Sequence, residues 1–286
     1  LPMNTELSRQ SLLAAAQTNA SAALAEDLGT GDLSASLIPA ERTATARIIT
    51  RTPGVFCGQF WVAETMQQVN AHIRIDWHVN DGDVIDAGQL LFTLAGPAAS
   101  LLTAERTALN FVQLLSGTAT RTAHYVALLQ DHKATLLDTR KTIPGLRLAQ
   151  KYAVKCGGGS NHRIGLFDAY LLKENHIAAA GSITAAVAAA RANHPDKAVE
   201  VEVENLAELD EAIAADADIA MIDNFTLSDT QTAVARSAGR IKLEASGGIN
   251  ERILADIAAT GVDYISSGEL TKTILPMDLS MRFVAD

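Results

Sequence analysis

Between residues 138 and 176 the chain carries seven cationic side chains: Arg140, Lys141, Arg147, Lys151, Lys155, Arg163 and Lys173. Only Asp138, Asp168 and Glu174 oppose them there, and His162 and His176 lie in the same stretch. Yet the whole chain of 286 residues has a formal net charge of −10. A cationic island in an acidic protein suits a small anionic ligand better than a polyanion. Arg147, Lys151 and Lys155 read as a solvated helix face. Arg140, Lys141, Arg163 and Lys173 stand at the ends of apolar runs or beside a glycine run, so they are the candidates for ligand contact.

Cys156-Gly157-Gly158-Gly159-Ser160-Asn161-His162-Arg163 is a glycine-rich loop followed by two possible cations. Glycines allow close backbone approach to a ligand, and an ordinary turn is the competing reading. Ser246-Gly247-Gly248-Ile249 follows one apolar run and opens a helical segment, and Ser266-Ser267-Gly268 does so one unit later. Backbone N–H groups at such helix starts, with small hydroxyl side chains, suit a phosphate. Glu200, Glu202 and Glu204 alternate with valine and so share one face of a strand. Asp223 ends the next run. A carboxylate pair from Glu202 and Asp223 suits Mg²⁺ or sugar hydroxyls, whereas Glu200 reads as part of a structural ion pair.

The elements that carry these residues follow from periodicity. Residues 7–27 read as an amphipathic helix with Leu7, Leu12, Leu13, Ala16, Ala23, Leu24 and Leu28 on one period, stopped by Gly29 and Gly31. Residues 43–50 and 73–79 alternate as strands, and residues 60–70 suit a helix. Residues 79–96 hold two short strands around Asp81-Gly82 and Ala87-Gly88 turns. The first hundred residues are therefore expected to place helices on a largely antiparallel sheet. A long helix covers 103–130, with Gly117 a possible break.

Beyond it, apolar runs recur at 135–138, 169–173, 198–203, 219–223, 241–245 and 262–266, with helical segments such as 182–192, 206–216 and 251–260 between them. This rhythm predicts a parallel α/β arrangement. Each run ends in polar, reactive residues. Function gathered at one end of many strands favours a β/α barrel over a doubly wound sheet, which gathers its ligands at one switch point.

Composition narrows the class further. With 48% hydrophobic and 20% charged residues, the chain is neither disordered nor polytopic in a membrane. No apolar stretch reaches the ~18 residues a span needs. Gln17, Thr18, Asn19 and Ser21 interrupt any signal-peptide core. Nucleic acid is an unexpected partner for so acidic a chain. Two cysteines, Cys57 and Cys156, build neither a disulfide framework nor a four-thiolate site, which fits a reduced, cytoplasmic setting.

The block DTRKTIPGLRLAQKYAVKCGGGSNHRIGLFDAYLLKENHI at 138–177 resembles the quinolinate phosphoribosyltransferase family. EDLGTGDLS (26–34), ERTALNFVQLLSGTAT (105–120), VEVEVENL (199–206), MIDNF (221–225), EASGGI (244–249), YISSGELTKT (264–273) and MDLSMRF (277–283) support the resemblance. It implies an N-terminal α/β sandwich over residues 1–117, to which a tail at 275–286 returns. It also implies an incomplete, seven-stranded β/α barrel over 118–274.

The implied reaction joins quinolinate to phosphoribosyl pyrophosphate. It yields nicotinate mononucleotide, pyrophosphate and CO₂ with Mg²⁺, a step of NAD synthesis. Quinolinate carries two carboxylates, which guanidinium forks bind in a bidentate way. By match to the family motifs, Thr139, Arg140, His162, Arg163 and Lys173 hold quinolinate, with Lys141 nearby. Arg106 matches an arginine supplied by a neighbouring subunit, which implies at least a homodimer. Ser246, Gly247, Gly248, Ser267 and Gly268 would cradle the phosphate. Glu202 and Asp223 would meet the ribose and the metal. Lys141, Glu202 and Asp223 are the candidates for catalysis.

One departure is Ser267 and Glu269 where the family has small apolar residues. Glu269 is expected to turn its carboxylate away from the phosphate. Three other readings were weighed. A related phosphoribosyltransferase for another pyridine acid, or a paralogue tied to molybdate transport, could share the scaffold. Residues 79–96 resemble part of a biotinyl or lipoyl domain, but no lysine lies between Arg51 and Lys133 to carry the group. An inactive homologue is disfavoured because the motif positions remain.

Overall fold

A computed structural model describes residues 7–284. Residues 1–6 and 285–286, which the sequence division assigned to the sandwich, lie outside the described residues. In chain order the first elements are α1 (Arg9–Leu28), β1 (Thr43–Thr50), β2 (Gly54–Val55), α2 (Gln59–Val69), β3 (Arg74–Trp77), β4 (Val84–Ile85), β5 (Leu90–Pro97) and α3 (Ala98–Leu128). Then come β6 (Thr135–Leu137), α4 (Arg147–Cys156), β7 (Tyr170–Leu172), α5 (Glu174–Ala180), α6 (Ile183–Asn193), β8 (Val199–Val203) and α7 (Leu206–Ala214). The last are β9 (Ile219–Asp223), α8 (Leu227–Ser237), β10 (Lys242–Ser246), α9 (Glu251–Ala259), β11 (Tyr264–Ser266), α10 (Glu269–Lys272) and β12 (Leu279–Phe283).

Internal contacts divide the described residues into two units. One comprises residues 7–123, 143–158 and those from 274 on; the other comprises 124–142 and 159–273. The sequence boundary at 117/118 had placed 118–123 and 143–158 in the second unit. They group with the first because α3 runs past that boundary, and because α4 packs Ala149 and Ala153 against Leu12, Cys57 and Trp61.

The first unit is built on a four-stranded antiparallel sheet in the order β12-β1-β5-β3, with β2 and β4 as a separate pair. Alternation along β1 buries Ala46, Ile48 and Thr50 and turns the intervening residues outward. Those apolar side chains join Phe56, Phe92, Leu94, Leu101 and Val112 in one core. In α1, Ser8 caps the first turn by accepting from the Ser11 N–H at 3.1 Å. The buried stripe is Leu12, Ala16, Ala20 and Leu24. Leu13, expected on that stripe, lies one position round the helix and is 43% exposed. Gly117 does not break α3. A methyl at that position would overlap the Leu275 carbonyl oxygen, so the glycine makes room for the returning chain.

The second unit holds a six-stranded parallel sheet in the order β6-β11-β10-β9-β8-β7. Ser160 adds a single parallel bridge to Leu137, on the free edge of β6. The sequence-based expectation was a seven-stranded barrel; six paired strands and this bridge are what the described residues show. The helices between strands start at polar caps. Asn205 accepts from the Ala207 and Glu208 N–H groups, both at 3.0 Å, and Glu208 returns to the Glu204 N–H at 2.8 Å. Asn205→Ala should therefore destabilise this unit by about 1 kcal/mol, read as a lower urea midpoint with an unchanged slope. Among the described residues no helix is long and apolar enough to cross a membrane.

Candidate active site

Strand registers decide which side chains share a layer. Glu202, Met221 and Glu244 are level across β8, β9 and β10, and Ser246 is level with Asp223 one pleat higher. Parallel strands bring all their C-terminal ends to one edge. There, a chamber of about 600 Å³ is lined by side chains of every strand in the sheet or of the residues just after it.

Four cations of the basic island meet here: Arg140, Lys141, Arg163 and Lys173 line the chamber, together with Thr139 and His162. Glu202, Asp223, Ser246, Gly247 and Gly248 line it too. Lys173 and Glu202 form an ion pair at 2.7 Å, which fixes the ammonium at the wall. Asp223 accepts from Asn224 Nδ2 at 2.8 Å. The Lys141 N–H donates to Thr139 Oγ1 at 3.0 Å, and its carbonyl accepts from Thr271 Oγ1 at 2.8 Å. Gly247 and Gly248 have φ of +89° and +61°, a left-handed turn that glycine adopts without strain.

Other expected residues lie elsewhere. Ser267 is buried beside the chamber, where its hydroxyl donates to the Ile249 carbonyl at 2.9 Å. Gly268 is not in the lining either. A Cβ there would stand 2.8 Å from Lys141 Cδ, so this glycine makes room for the lysine stem. Glu269 lies outside the lining, with its carboxylate 3.7 Å from Lys272. Arg106 is an exposed residue of α3 in the first unit. Lys151, expected on a solvated face, is instead fully buried, because α4 turns Ala149, Gln150, Lys151, Ala153 and Val154 inward.

Leu171, Met221, Asn224, Glu244 and Ser266 complete the lining. Glu244 and Leu171 stand two residues from Ser246 and Lys173, so the two-residue period of a strand puts each pair on one face. That signal was present in the sequence for both.

Beneath the cations lies a buried cluster. His162 Nε2 is 3.0 Å from Glu200 Oε2 and 3.4 Å from Glu244 Oε2, and both glutamates are wholly buried. Burial disfavours a charged ring, but Glu244 and Glu200 outweigh it and push the His162 pKa up to about 10. The Arg163 N–H lies 2.8 Å from His162 Nδ1, and Nε2 faces the glutamates. Burial, then Glu244, raise Glu200 to about 7. Glu244 also suffers burial, yet His162 holds it below the usual carboxylate range. Burial and the neighbouring Arg140 lower the proton affinity of Arg163.

Arg140, Lys141, Arg163 and Lys173, with Glu202 and Asp223 in the same lining, can hold a polyanion that carries a sugar. The turn at 246–248 comes just before α9, which Asn250 caps, and its glycines let the backbone approach a phosphate closely.

Comparison with known proteins points the same way. The family model described as "Quinolinate phosphoribosyl transferase, C-terminal domain" matches residues 118–282, and its N-terminal counterpart matches residues 32–116. The chain is 42% identical over 267 residues to nicotinate-nucleotide pyrophosphorylase [carboxylating] of Mycobacterium leprae, covering 91% of this chain and 94% of that protein. It is 36% identical over 281 residues to quinolinate phosphoribosyltransferase [decarboxylating] 1b of Nicotiana tabacum, covering 91% and 80%. The solved nicotinate-nucleotide pyrophosphorylase of Francisella tularensis superposes with a TM-score of 0.91 at 50% identity, over 95% of this chain and 97% of that one.

Proposed function

This chain belongs to the quinolinate phosphoribosyltransferase family, and from that premise we propose how its chamber carries the family's reaction. The activity transfers a phosphoribosyl group to quinolinate, releasing diphosphate and CO₂ and yielding nicotinate mononucleotide for NAD biosynthesis. The observation that carries the assignment of roles is the chamber itself, whose lining brings together cations, a glycine turn and two carboxylates.

Arg140, Arg163 and Lys173 take the two carboxylates of quinolinate, with Thr139 beside them and the buried His162 ring in the wall of that end. Opposing guanidinium and ammonium groups hold the ring at a fixed angle, so its nitrogen faces the sugar. Ser246, Gly247 and Gly248 hold the 5′-phosphate through backbone N–H groups. Glu202 and Asp223 accept the ribose hydroxyls. As the bond to diphosphate breaks, positive charge grows on the ribose ring and these carboxylates stabilise it. Lys141 meets the departing diphosphate. Attack by the pyridine nitrogen leaves that nitrogen quaternised. Its charge and the surrounding cations then stabilise the electron pair left on the ring carbon as CO₂ departs, and that carbon takes up a proton from solvent to give nicotinate mononucleotide. Positioning and electrostatics suffice, and no covalent enzyme intermediate is required.

Two chamber carboxylates beside a diphosphate suit Mg²⁺, which is commonly held by one or two carboxylates plus substrate phosphates. Glu202 and Asp223 would hold it, and when bound it would neutralise charge on the diphosphate. Exposed Arg106 serves the chamber of a neighbouring subunit, so the working form is at least a homodimer. The six parallel strands and the Ser160 bridge form the incomplete barrel, and the setting is cytoplasmic.

Incubation with quinolinate, phosphoribosyl diphosphate and Mg²⁺ should release CO₂ and nicotinate mononucleotide in equal amounts. Nicotinate in place of quinolinate should give little turnover. A chelator in excess should stop the reaction, and added Mg²⁺ should restore it. Full activity after exhaustive chelation would remove the metal from the scheme, and no product with every component present would remove the assignment of roles.

A further inference from the structure

Three buried carboxylates, two on strands and one just after a third strand, converge on Asn161 and His162. Asp138, just beyond β6, accepts from Asn161 Nδ2 at 2.6 Å and from the His162 N–H at 2.8 Å. Glu200 of β8 and Glu244 of β10 close on His162 Nε2. All three acids have zero exposure. His162 Nδ1 accepts from the Arg163 N–H, and Arg163 Nη1 donates to the Ala169 carbonyl at 3.3 Å. Both ring nitrogens of His162 are thus engaged within the protein, and only 5% of the residue is exposed.

Two buried glutamates, of which Glu244 lines a chamber for a dianion, are a cost in desolvation and in repulsion of the ligand. What offsets that cost is the geometry they impose. The ring is gripped at Nε2 from two strands and grips the Arg163 backbone with Nδ1. We propose that Glu200 and Glu244 are positioning residues that act through His162 to set where Arg163 presents its guanidinium to a carboxylate of quinolinate. The inference rests on the reading of Arg163 as a quinolinate ligand. A shift of about 1 Å in such a group can cost on the order of 100-fold in rate. The consequence should fall mainly on quinolinate, because Arg163 is the group displaced.

Steady-state kinetics on the full-length enzyme test this with Glu200→Ala, Glu244→Ala, Glu200→Gln, Glu244→Gln and Arg163→Ala. The alanine variants should raise the quinolinate KM by about 10-fold or more, with the phosphoribosyl diphosphate KM within about two-fold of the parent. The glutamine variants keep a polar group of the same shape beside Nε2 and should recover to within about three-fold. Equal rises in both KM values, or glutamine variants as impaired as alanine ones, would overturn the proposal. If the alanine variants do not fold, Glu200→Asp and Glu244→Asp take their place: the shorter reach should raise the quinolinate KM, and an unchanged value refutes the role. Arg163→Ala separates the two claims. A normal quinolinate KM there removes the reading of Arg163 and this inference with it. A raised KM there, with normal values in the glutamate variants, removes the inference alone.

Discussion

Replacing Arg140 by alanine is expected to weaken quinolinate binding by at least about 100-fold, or roughly 3 kcal/mol, the range found when one side of a desolvated charge pair is truncated. Lys173→Ala should do the same. Arg140 and Arg163 lie close enough that Arg140 lowers the proton affinity of Arg163. The fold thus holds like charges together, an arrangement that a bound dianion relieves. Lys173 is anchored by Glu202 at 2.7 Å, so its ammonium is set in place before any ligand arrives. Arg140→Lys should rescue poorly, because a point charge cannot reproduce a planar fork. Calorimetric titration with quinolinate reads the affinity, and a thermal melt checks that each variant is folded. Parental affinity in both alanine variants would end the assignment of the pocket.

Gly247→Ala should selectively impair use of phosphoribosyl diphosphate, raising its KM by at least about 10-fold. Two effects add. At φ +89° an L-residue is strained by roughly 1–2 kcal/mol. A Cβ there would also overlap the Asn224 side-chain amide and lie 2.9 Å from the Asn224 backbone nitrogen. Either the turn moves or Asn224 does, and both line the chamber. Gly248→Ala is the matched control. Its φ of +61° carries backbone strain, but nothing lies within 4 Å of the added methyl, so its effect should be the smaller. Quinolinate affinity should stay within about two-fold in both, because the cations assigned to it are carried by other strands and loops than the 246–248 turn. An unchanged KM for the phosphoribosyl donor in Gly247→Ala would remove this turn from the phosphate site.

Much of this architecture could be read from local pattern. The alternation in TATARIIT foretold a strand over 43–50, and β1 spans Thr43–Thr50. The regular spacing of apolar runs foretold parallel strands, and six pair in that way. A two-residue period and a strand-to-helix rhythm are properties of neighbouring residues, so no folded structure is needed to see them. The same holds for the chemistry at strand ends, since a parallel sheet must deliver those ends to one edge.

Contacts between residues far apart in sequence could not be read in this way. Lys151 looked like a surface charge because composition does not say which face of α4 turns inward. Ser267 and Gly268 looked like phosphate ligands because hydroxyls and glycines at a helix start serve packing as readily as binding. Here one bonds the Ile249 carbonyl and the other clears space for Lys141.

Glu200 and Glu244 lie more than forty positions apart in the chain, and each is over thirty from His162. Nothing in their own segments brings them together. Residue type and short-range spacing prescribe which elements form and which groups they carry. The close approach of two acids to one imidazole is a product of strand register and of burial, where low polarity makes each contact count, and these exist only once the sheet has assembled.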